Sequence, residues 1–136
     1  RFRTQLIERI TRRDTREIAL QFCSFGYKNG VPPDADFVFD VRCLPNPHWD
    51  PELRRLTGRD EAVCNFLDTS EQVCEMVDNL MSFLEKWIPR FEADNRSYLT
   101  IAIGCTGGRH RSVYVAEKLA THFRSLRHVV ATHRDS

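Results

Sequence analysis

Tyr98-Leu99-Thr100-Ile101-Ala102-Ile103-Gly104-Cys105-Thr106-Gly107-Gly108-Arg109-His110-Arg111-Ser112 runs from an apolar segment through glycines into an arginine-rich one. Residues 98–103 are rich in β-branched side chains, which predicts a buried strand. Residues 104–108 predict a turn, and a segment with helical spacing opens at Arg111. Glycines let the loop's N–H groups point inward, and a helix N-terminus adds further donors. The stretch therefore predicts a phosphate-binding loop between a strand and a helix.

Two side chains in this stretch have the chemistry to act on a phosphate group. Arg111 can donate a bidentate pair of hydrogen bonds to phosphate oxygens. The spacing Cys105-x5-Arg111-Ser112 also matches the signature of cysteine-dependent phosphatases, in which a thiolate attacks phosphorus. A helix N-terminus, Arg109 and Arg111 would lower the pKa of such a thiol. The alternative is a simple strand–turn–helix connection with Cys105 as a small buried residue.

Length and composition indicate one soluble globular domain. The chain has 136 residues, which is enough for a core without metal or disulfides. No apolar run reaches the length of a membrane span, and no signal peptide is visible. The five cysteines are odd in number and contain no C-x-x-C pair. This pattern argues against a disulfide framework or zinc site and favours a reducing compartment, the cytoplasm.

Charge is distributed unevenly, although the formal net charge is only +1. Residues 50–94 carry eleven acids against five bases, whereas residues 95–136 carry seven bases against two acids. Arginine outnumbers lysine seventeen to three, and arginine suits phosphate recognition and stacking on bases. A solvated arginine-rich surface is the alternative. The near-neutral total argues against non-specific polyanion binding by a single copy.

The remaining patterns predict three more strands and two more helices. The strands are expected at 17–24, 37–42 and 128–133, and a short helix at 60–67. A capping box of Thr69 with Gln72 opens a long amphipathic helix, which Pro89 should kink or end before Asn95. The helix that opens at Arg111 should end near Ser125. This order predicts an α/β fold with a mostly parallel sheet and helices on its faces.

Three loops should share the carboxyl edge of that sheet, at residues 24–30, 43–51 and 104–111. In the first, Lys28 could face phosphate or simply be solvated. The second is stiffened by three prolines in eight residues. There His48 could donate to a ligand oxygen and Asp50 could accept from a hydroxyl or amine. Alternatively, Trp49 plugs the edge of the core and its neighbours only satisfy the loop backbone. The convergence predicts a polar pocket the size of a sugar phosphate.

Four blocks of sequence resemble the C-terminal domain of the RapZ family of RNase adapter proteins. They are residues 24–32, residues 40–51, residues 95–99 and residues 104–113, in the family's order. The resemblance covers nearly the whole chain from Glu17 onward. It implies a fold similar to a subdomain of phosphofructokinase. It also implies that residues 17–136 sense glucosamine-6-phosphate and bind RNA, and that residues 1–16 are a linker from a missing N-terminal domain.

The resemblance further implies partners and site residues. Family members present small regulatory RNAs to an RNase E-type endoribonuclease, link RNA decay to amino-sugar synthesis, and form homo-oligomers. By the resemblance, His48, Thr106, Gly107, His110 and Arg111 would hold the sugar phosphate, and Lys28 would contact RNA. The further residues that we expect to bind ligand are Asn46, Asp50, Gly108 and Ser112, and the further expected RNA contacts are Arg109, Arg124, Arg127 and Arg134.

Two departures from the family pattern limit what is expected. No P-loop motif occurs, so a nucleotide is expected only in the missing domain, with no cofactor, metal or catalytic residue here. The strongly basic C-terminal tail of some relatives is also absent. A cysteine phosphatase that uses Cys105 and Arg111 is the alternative function. It would need an acid, Asp40 or Asp50, to protonate the leaving oxygen.

Overall fold

The computed structural model describes residues 17–136, so the interpretation of residues 1–16 as a linker lies outside them. The described strands are β1 (Ala19–Gly26), β2 (Phe37–Asp40), β3 (Tyr98–Cys105) and β4 (Val129–His133). The helices are α1 (Glu61–Asp68), α2 (Glu71–Ala93) and α3 (Arg111–Arg124), with single 3₁₀ turns at Tyr27–Asn29 and Pro47–Trp49. The strands lie in the order β2-β3-β1-β4 and all pair in parallel. The predicted α/β fold is confirmed.

The register of the sheet places aromatic and aliphatic side chains on the face that contacts the helices. Phe22 of β1 lies opposite Ile101 of β3, which in turn lies opposite Phe37 of β2. The ring of Phe22 stacks on Phe123 of α3 at 6.0 Å, and Phe37 meets Phe83 of α2 edge-on at 5.6 Å. Helices α2 and α3 therefore pack on the same face of the sheet.

The core lies between that face and the helices. The apolar side of α3 is buried as the helical spacing predicts, at Val113, Ala116, Leu119, Ala120 and Phe123. Helix α2 buries Val73, Val77, Leu80, Leu84 and Ile88. Each such leucine or isoleucine contributes about 1.5–3 kcal/mol when fully buried. The stability of the sheet thus depends on both helices.

The start of α2 differs from the prediction, whereas its end, at Ala93, falls before Asn95 as predicted. Ser70, not Thr69, caps the helix, because its Oγ accepts from the backbone N–H of Val73 at 3.3 Å. Gln72 instead donates from Nε2 to the Cys43 carbonyl at 3.3 Å, so it joins α2 to the loop after β2. The helix also continues past Pro89 to Ala93. Pro89 and the residue whose carbonyl it leaves free, four positions earlier, are both exposed, so water can satisfy that carbonyl.

Candidate anion-binding site

The three predicted loops meet at the carboxyl edge of the sheet and are tied together by hydrogen bonds. The backbone N–H of Lys28 donates to the Thr106 carbonyl at 3.3 Å, which joins the first loop to the glycine loop. The Nη1 of Arg111 donates to the carbonyls of Arg42 and Leu44 at 2.6 and 3.0 Å. That side chain holds the second loop against the start of α3.

Two glycines let the loop at residues 104–110 lie directly on the end of β1. A Cβ on Gly108 would come within 2.4 Å of the Gly26 nitrogen, and a Cβ on Gly26 within 2.5 Å of the Gly107 carbonyl carbon. Gly108 also has φ +78°, which disfavours other residues. By contrast, a Cβ on Gly107 would meet no atom of residues 17–136 within 4 Å. Residue 107 therefore faces open space.

A cavity of about 400 Å³ opens between these loops. Its walls include six of the nine residues expected to bind ligand, namely Asn46, His48, Thr106, Gly107, His110 and Arg111. Three others lie outside the lining: Gly108 packs against Gly26, Ser112 supports Cys105, and the Asp50 carboxylate accepts from the Glu52 N–H at 2.9 Å. Lys28, Trp49, Cys105 and Arg109 complete the lining. Cations thus outnumber anions among the described residues that line this cavity, and none of those residues is a carboxylate.

Arg111 is the most deeply placed cation of the cavity. The residue is only 4 % exposed. Its Nη1 is occupied by two loop carbonyls, but its buried Nε has no hydrogen-bond partner among the described residues. An unpaired donor on a buried charge is costly, so such a group normally has a ligand or water as its partner. The Nε is therefore the donor of this buried guanidinium that still lacks a partner among the described residues.

Two histidines stand in different environments in this cavity. Nε2 of His110 lies 3.1 Å from the Leu53 carbonyl, and because a carbonyl only accepts, this nitrogen carries the hydrogen. Burial lowers the pKa of His110, although neighbouring carbonyls oppose the effect. It is therefore neutral at pH 7. His48 is exposed and contacts the ring of Trp49 edge-on at 5.4 Å.

Trp49 is the lining residue that the sequence interpretation missed. The alternative that it plugs the edge of the core is wrong, since 75 % of it is exposed. It follows Pro47 in a 3₁₀ turn that Asn46 caps, with Oδ1 accepting from the His48 N–H at 3.0 Å. This turn directs residues 48 and 49 outward. An aromatic residue between prolines in a polar loop is the only sequence signal for this position.

Cys105 ends β3 at the floor of the cavity and is 2 % exposed. Its Sγ accepts from the Gly108 N–H at 3.3 Å and lies 3.2 Å from the Ser112 hydroxyl. Burial opposes ionisation, but hydrogen bonds from Ser112 and Gly108 and the charge of Arg111 outweigh it and lower the pKa of the thiol. The direction agrees with the sequence prediction.

Comparisons with known proteins identify the family of this chain. The family described as the RapZ C-terminal domain matches residues 18–136. This chain belongs to that family. The chain is also 58 % identical over 120 residues to the RNase adapter protein RapZ of Serratia proteamaculans, which covers 88 % of this chain and 42 % of that protein. It is 60 % identical over 119 residues to a nucleotide-binding protein of Methylobacillus flagellatus, which covers 87 % of this chain and 42 % of the relative.

A third relative extends the match toward the start of the chain. It is a nucleotide-binding protein of Thioalkalivibrio sulfidiphilus, 56 % identical over 135 residues, with 97 % of this chain and 47 % of the relative covered. The chain therefore spans less than half of the length of these curated relatives. The resemblance to the RapZ family that the four sequence blocks indicated is confirmed.

The acids that the alternative phosphatase would need do not line the cavity of this RapZ-family domain. Asp40 is paired with Arg42 at 2.7 Å, and hydrogen bonds from Arg42 hold the pKa of that carboxyl below its usual range. Asp50 accepts a backbone N–H instead. Within residues 17–136, a thiolate in this loop consequently has no carboxylic acid in the cavity lining to protonate a leaving oxygen.

The five expected RNA contacts do not form one surface. Lys28 and Arg109 lie at the cavity, at the carboxyl edge of the sheet. Arg124 is exposed at the other end of α3, about 20 Å away along a helix of 14 residues. Arg127 is paired with Glu92 at 2.7 Å, and Arg134 with Asp135 at 2.8 Å. Lys28, Arg109 and Arg124 are therefore the more available cations of this set.

The described part of the chain contains neither a metal-binding cluster nor a membrane-spanning helix. Within residues 17–136, no three histidine, cysteine, aspartate or glutamate side chains are grouped so as to hold a metal ion. No helix in the same range combines the length and apolar character that crossing a membrane requires.

Proposed function

We propose that this chain is the metabolite-sensing and RNA-binding part of an RNase adapter. It binds glucosamine-6-phosphate in the cavity at the carboxyl edge of its sheet. It also binds small regulatory RNA and presents that RNA to an RNase E-type endoribonuclease, in the cytoplasm, so that amino-sugar synthesis is regulated. It acts as a homo-oligomer and through binding alone, with residues 1–16 as the linker to a nucleotide-binding domain.

The unpaired Nε of Arg111 is the observation that carries the proposal. This donor belongs to a residue that is 4 % exposed, lines the cavity and has no partner for Nε among the described residues. The open space over Gly107 lies in the same wall. A phosphate placed there receives a charge-assisted hydrogen bond from Arg111 and approaches the loop backbone closely.

The sugar extends from that phosphate toward the second loop. Asn46, His48 and Trp49 line the cavity on this side. An imidazole and an amide supply donors and acceptors for hydroxyl groups, and the exposed indole offers an apolar face to a sugar ring. A cavity of about 400 Å³ lies within the range typical of small-molecule sites.

RNA binds at the rim of the same edge through Lys28 and Arg109. Lys28 is exposed, and Arg109 is anchored by a hydrogen bond from Nη2 to the Arg55 carbonyl at 3.0 Å. Both are cations that can neutralise backbone phosphates. The name of the Serratia relative, RNase adapter protein, supports an RNase as the partner.

Calorimetry with glucosamine-6-phosphate tests the cavity assignment. Arg111→Ala should cost on the order of 2–4 kcal/mol of affinity, because it removes a charge-assisted contact to phosphate. Glucosamine without the phosphate should bind much more weakly. Arg124→Ala removes the same charge at the other end of α3 and should leave the affinity unchanged.

Arg111 also holds two loop carbonyls, so a second variant separates binding from folding. His48→Ala alters an exposed side chain of the cavity. It should lower the affinity for the sugar phosphate several-fold without changing the thermal stability of the protein. Unchanged affinity in folded Arg111→Ala protein would contradict the cavity assignment.

A further inference from the structure

Cys105 is a buried thiol that binding of a sugar phosphate does not require. Its Sγ nevertheless receives a hydrogen bond from the Gly108 N–H at 3.3 Å and lies 3.2 Å from the Ser112 hydroxyl. A cysteine that only fills space needs no such partners. The Gly108 N–H donates to the sulfur, and the thiol donates to the Ser112 hydroxyl, which can turn its own hydrogen toward the sulfur once the thiol ionises. Both groups then stabilise the thiolate, which is the nucleophilic form.

A second and independent observation shows that the surroundings of Cys105 accept negative charge. Arg111 lines the same cavity, is 4 % exposed and has no partner for its Nε among the described residues. Hydrogen bonds and this charge together lower the pKa of the Cys105 thiol against the effect of burial. An oxygen atom attached to the sulfur can therefore be accommodated where a ligand oxygen would otherwise lie.

We propose that Cys105 is a site of reversible oxidation by hydrogen peroxide and that the oxidised residue closes the anion site. The thiolate sulfur attacks one peroxide oxygen, an S–O bond forms and the O–O bond breaks. Sulfur gives up two electrons, and the departing hydroxide takes a proton to become water. The product is a sulfenic acid.

A small thiol reverses the change in two steps. The first thiol replaces the sulfenic oxygen, which leaves as water, and a mixed disulfide forms. A second thiol attacks that disulfide, which releases the Cys105 thiol and a small-molecule disulfide. While oxidised, residue 105 carries an extra oxygen in the cavity floor, where it excludes the phosphate of a ligand.

The proposal predicts that peroxide oxidises Cys105 before the other cysteines. Cys43 and Cys74 are exposed, whereas burial raises the pKa of the Cys64 thiol. Accessibility alone would make Cys43 and Cys74 react first. Thiolate stabilisation makes the most buried cysteine react first, because peroxide is small enough to enter the cavity.

The whole chain is exposed to hydrogen peroxide for increasing times, and catalase ends each reaction. The protein is then unfolded, its remaining thiols are alkylated, and mass spectrometry follows each cysteine-containing peptide. Cys105 should lose its alkylatable thiol about tenfold faster than Cys43 or Cys74, and dithiothreitol should restore it. Ser112→Ala should slow the reaction of Cys105 several-fold and leave that of Cys43 unchanged. Loss of the Cys105 thiol no faster than the exposed thiols overturns the proposal.

The predicted effect of Cys105 oxidation on ligand binding rests on the proposed function, whereas the oxidation itself does not. Peroxide should weaken glucosamine-6-phosphate binding at least about tenfold in the natural chain and leave Cys105→Ser unaffected. If glucosamine-6-phosphate still binds with full affinity after complete oxidation of Cys105, the oxidised residue does not close the anion site. Selective oxidation in a chain that never binds glucosamine-6-phosphate supports the oxidation site and removes the proposed function instead.

Discussion

The two neighbouring glycines of the loop at residues 104–110, Gly107 and Gly108, lack a side chain for different physical reasons. Gly108 has φ +78°, and a Cβ there would lie 2.4 Å from the Gly26 nitrogen. The packing of the chain itself therefore requires glycine at that position. A Cβ on Gly107, which lines the cavity, would meet nothing within 4 Å in the described part of the chain. The missing side chain at Gly107 leaves space that a ligand can occupy.

Two alanine substitutions separate these roles. Gly107→Ala should change the free energy of unfolding by less than about 1 kcal/mol but weaken glucosamine-6-phosphate about tenfold or more, because the methyl group enters the cavity. Gly108→Ala should lower the free energy of unfolding by about 1–3 kcal/mol. Urea unfolding and calorimetry on both variants measure these effects. Full affinity in Gly107→Ala would show that the ligand does not approach residue 107.

At the scale of whole elements, one carboxylate joins the ends of three segments. Glu92, in the last turn of α2, accepts two hydrogen bonds from Arg127 at 2.7 Å and one from the Ile18 N–H at 3.1 Å. Arg127 lies between α3 and β4, and Ile18 directly precedes β1. Hydrogen bonds from Arg127 lower the pKa of Glu92 despite partial burial. The ends of α2 and α3 are thereby held to the sheet.

Removal of this charge should destabilise the fold in a pH-dependent way. Glu92→Gln should reduce the free energy of unfolding by about 1–2 kcal/mol at pH 7. A lowered folded-state pKa contributes stability above the unfolded value and loses it as pH falls. The difference between natural and variant chains should therefore shrink as pH falls below the ordinary carboxyl value of 4.5.

Glu85→Gln is the matched control on the same helix. The Glu85 carboxylate meets His122 at 2.5 Å, but these side chains are 49 % and 33 % exposed. Exposed pairs contribute about 0–1 kcal/mol. Chemical denaturation at pH 7 and pH 3.5 measures the free energy of unfolding of the natural chain, Glu92→Gln and Glu85→Gln. A Glu92→Gln effect that is independent of pH would show that the charge of Glu92 does not stabilise the fold.

The charge of the whole molecule limits how one copy can bind RNA. A net charge of +1 gives little long-range attraction for a polyanion. Two of the available cations, Lys28 and Arg109, lie at the carboxyl edge, whereas Arg124 lies at the far end of α3. Several phosphate contacts are most simply combined by placing the carboxyl edges of two or more copies along one RNA. Such avidity can exceed the affinity of one copy by roughly 10²–10⁴.

A structured small RNA should therefore bind weakly to the monomer and tightly only when copies associate. Gel shifts over a salt series, with light scattering for the oligomeric state, measure this. Affinity should fall steeply with salt, and Lys28→Ala should reduce the slope of log affinity against log salt by about 1. Lys86→Ala, an equal charge change on α2, should have no effect. Tight, salt-independent binding by a monomer would contradict the argument.

Much of the fold follows from local patterns, and the errors have local causes. The apolar runs predicted all four strands, since a parallel sheet buries continuous apolar segments. The capping position was wrong by one residue because Thr69 and Ser70 both suit a cap. Thr69 donates its hydroxyl to the Phe66 carbonyl at 2.9 Å, which leaves Ser70 as the cap. The helix ends at Ala93, before Asn95 as predicted, although the exposed position of Pro89 lets it continue for four residues past the proline.

The candidate site was predictable to a similar degree. The order of strand, glycine loop and Arg111 indicated an anion site because its donors are neighbours in sequence. The exposure of Trp49 was not predictable, since it depends on how a proline-rich turn sits on the rest of the fold. The hydrogen bond from the Glu52 N–H to the Asp50 carboxylate agrees with the alternative that the neighbours of Trp49 satisfy the loop backbone. The pairing of Arg127 and Arg134 with acids could not be read from composition either.

The local sequence around residues 98–112 is sufficient for the strand, the turn and the helix start, because these depend on backbone preferences and nearby donors. The family resemblance needed four blocks spread between residues 24 and 113. The cavity depends on contacts between distant residues. Arg111 meets the Leu44 carbonyl across 67 positions of sequence, and this contact selects which face of the guanidinium stays free. The Leu44 carbonyl competes for this donor with water and with every other acceptor in the chain. The choice of partner is therefore determined by the tertiary packing.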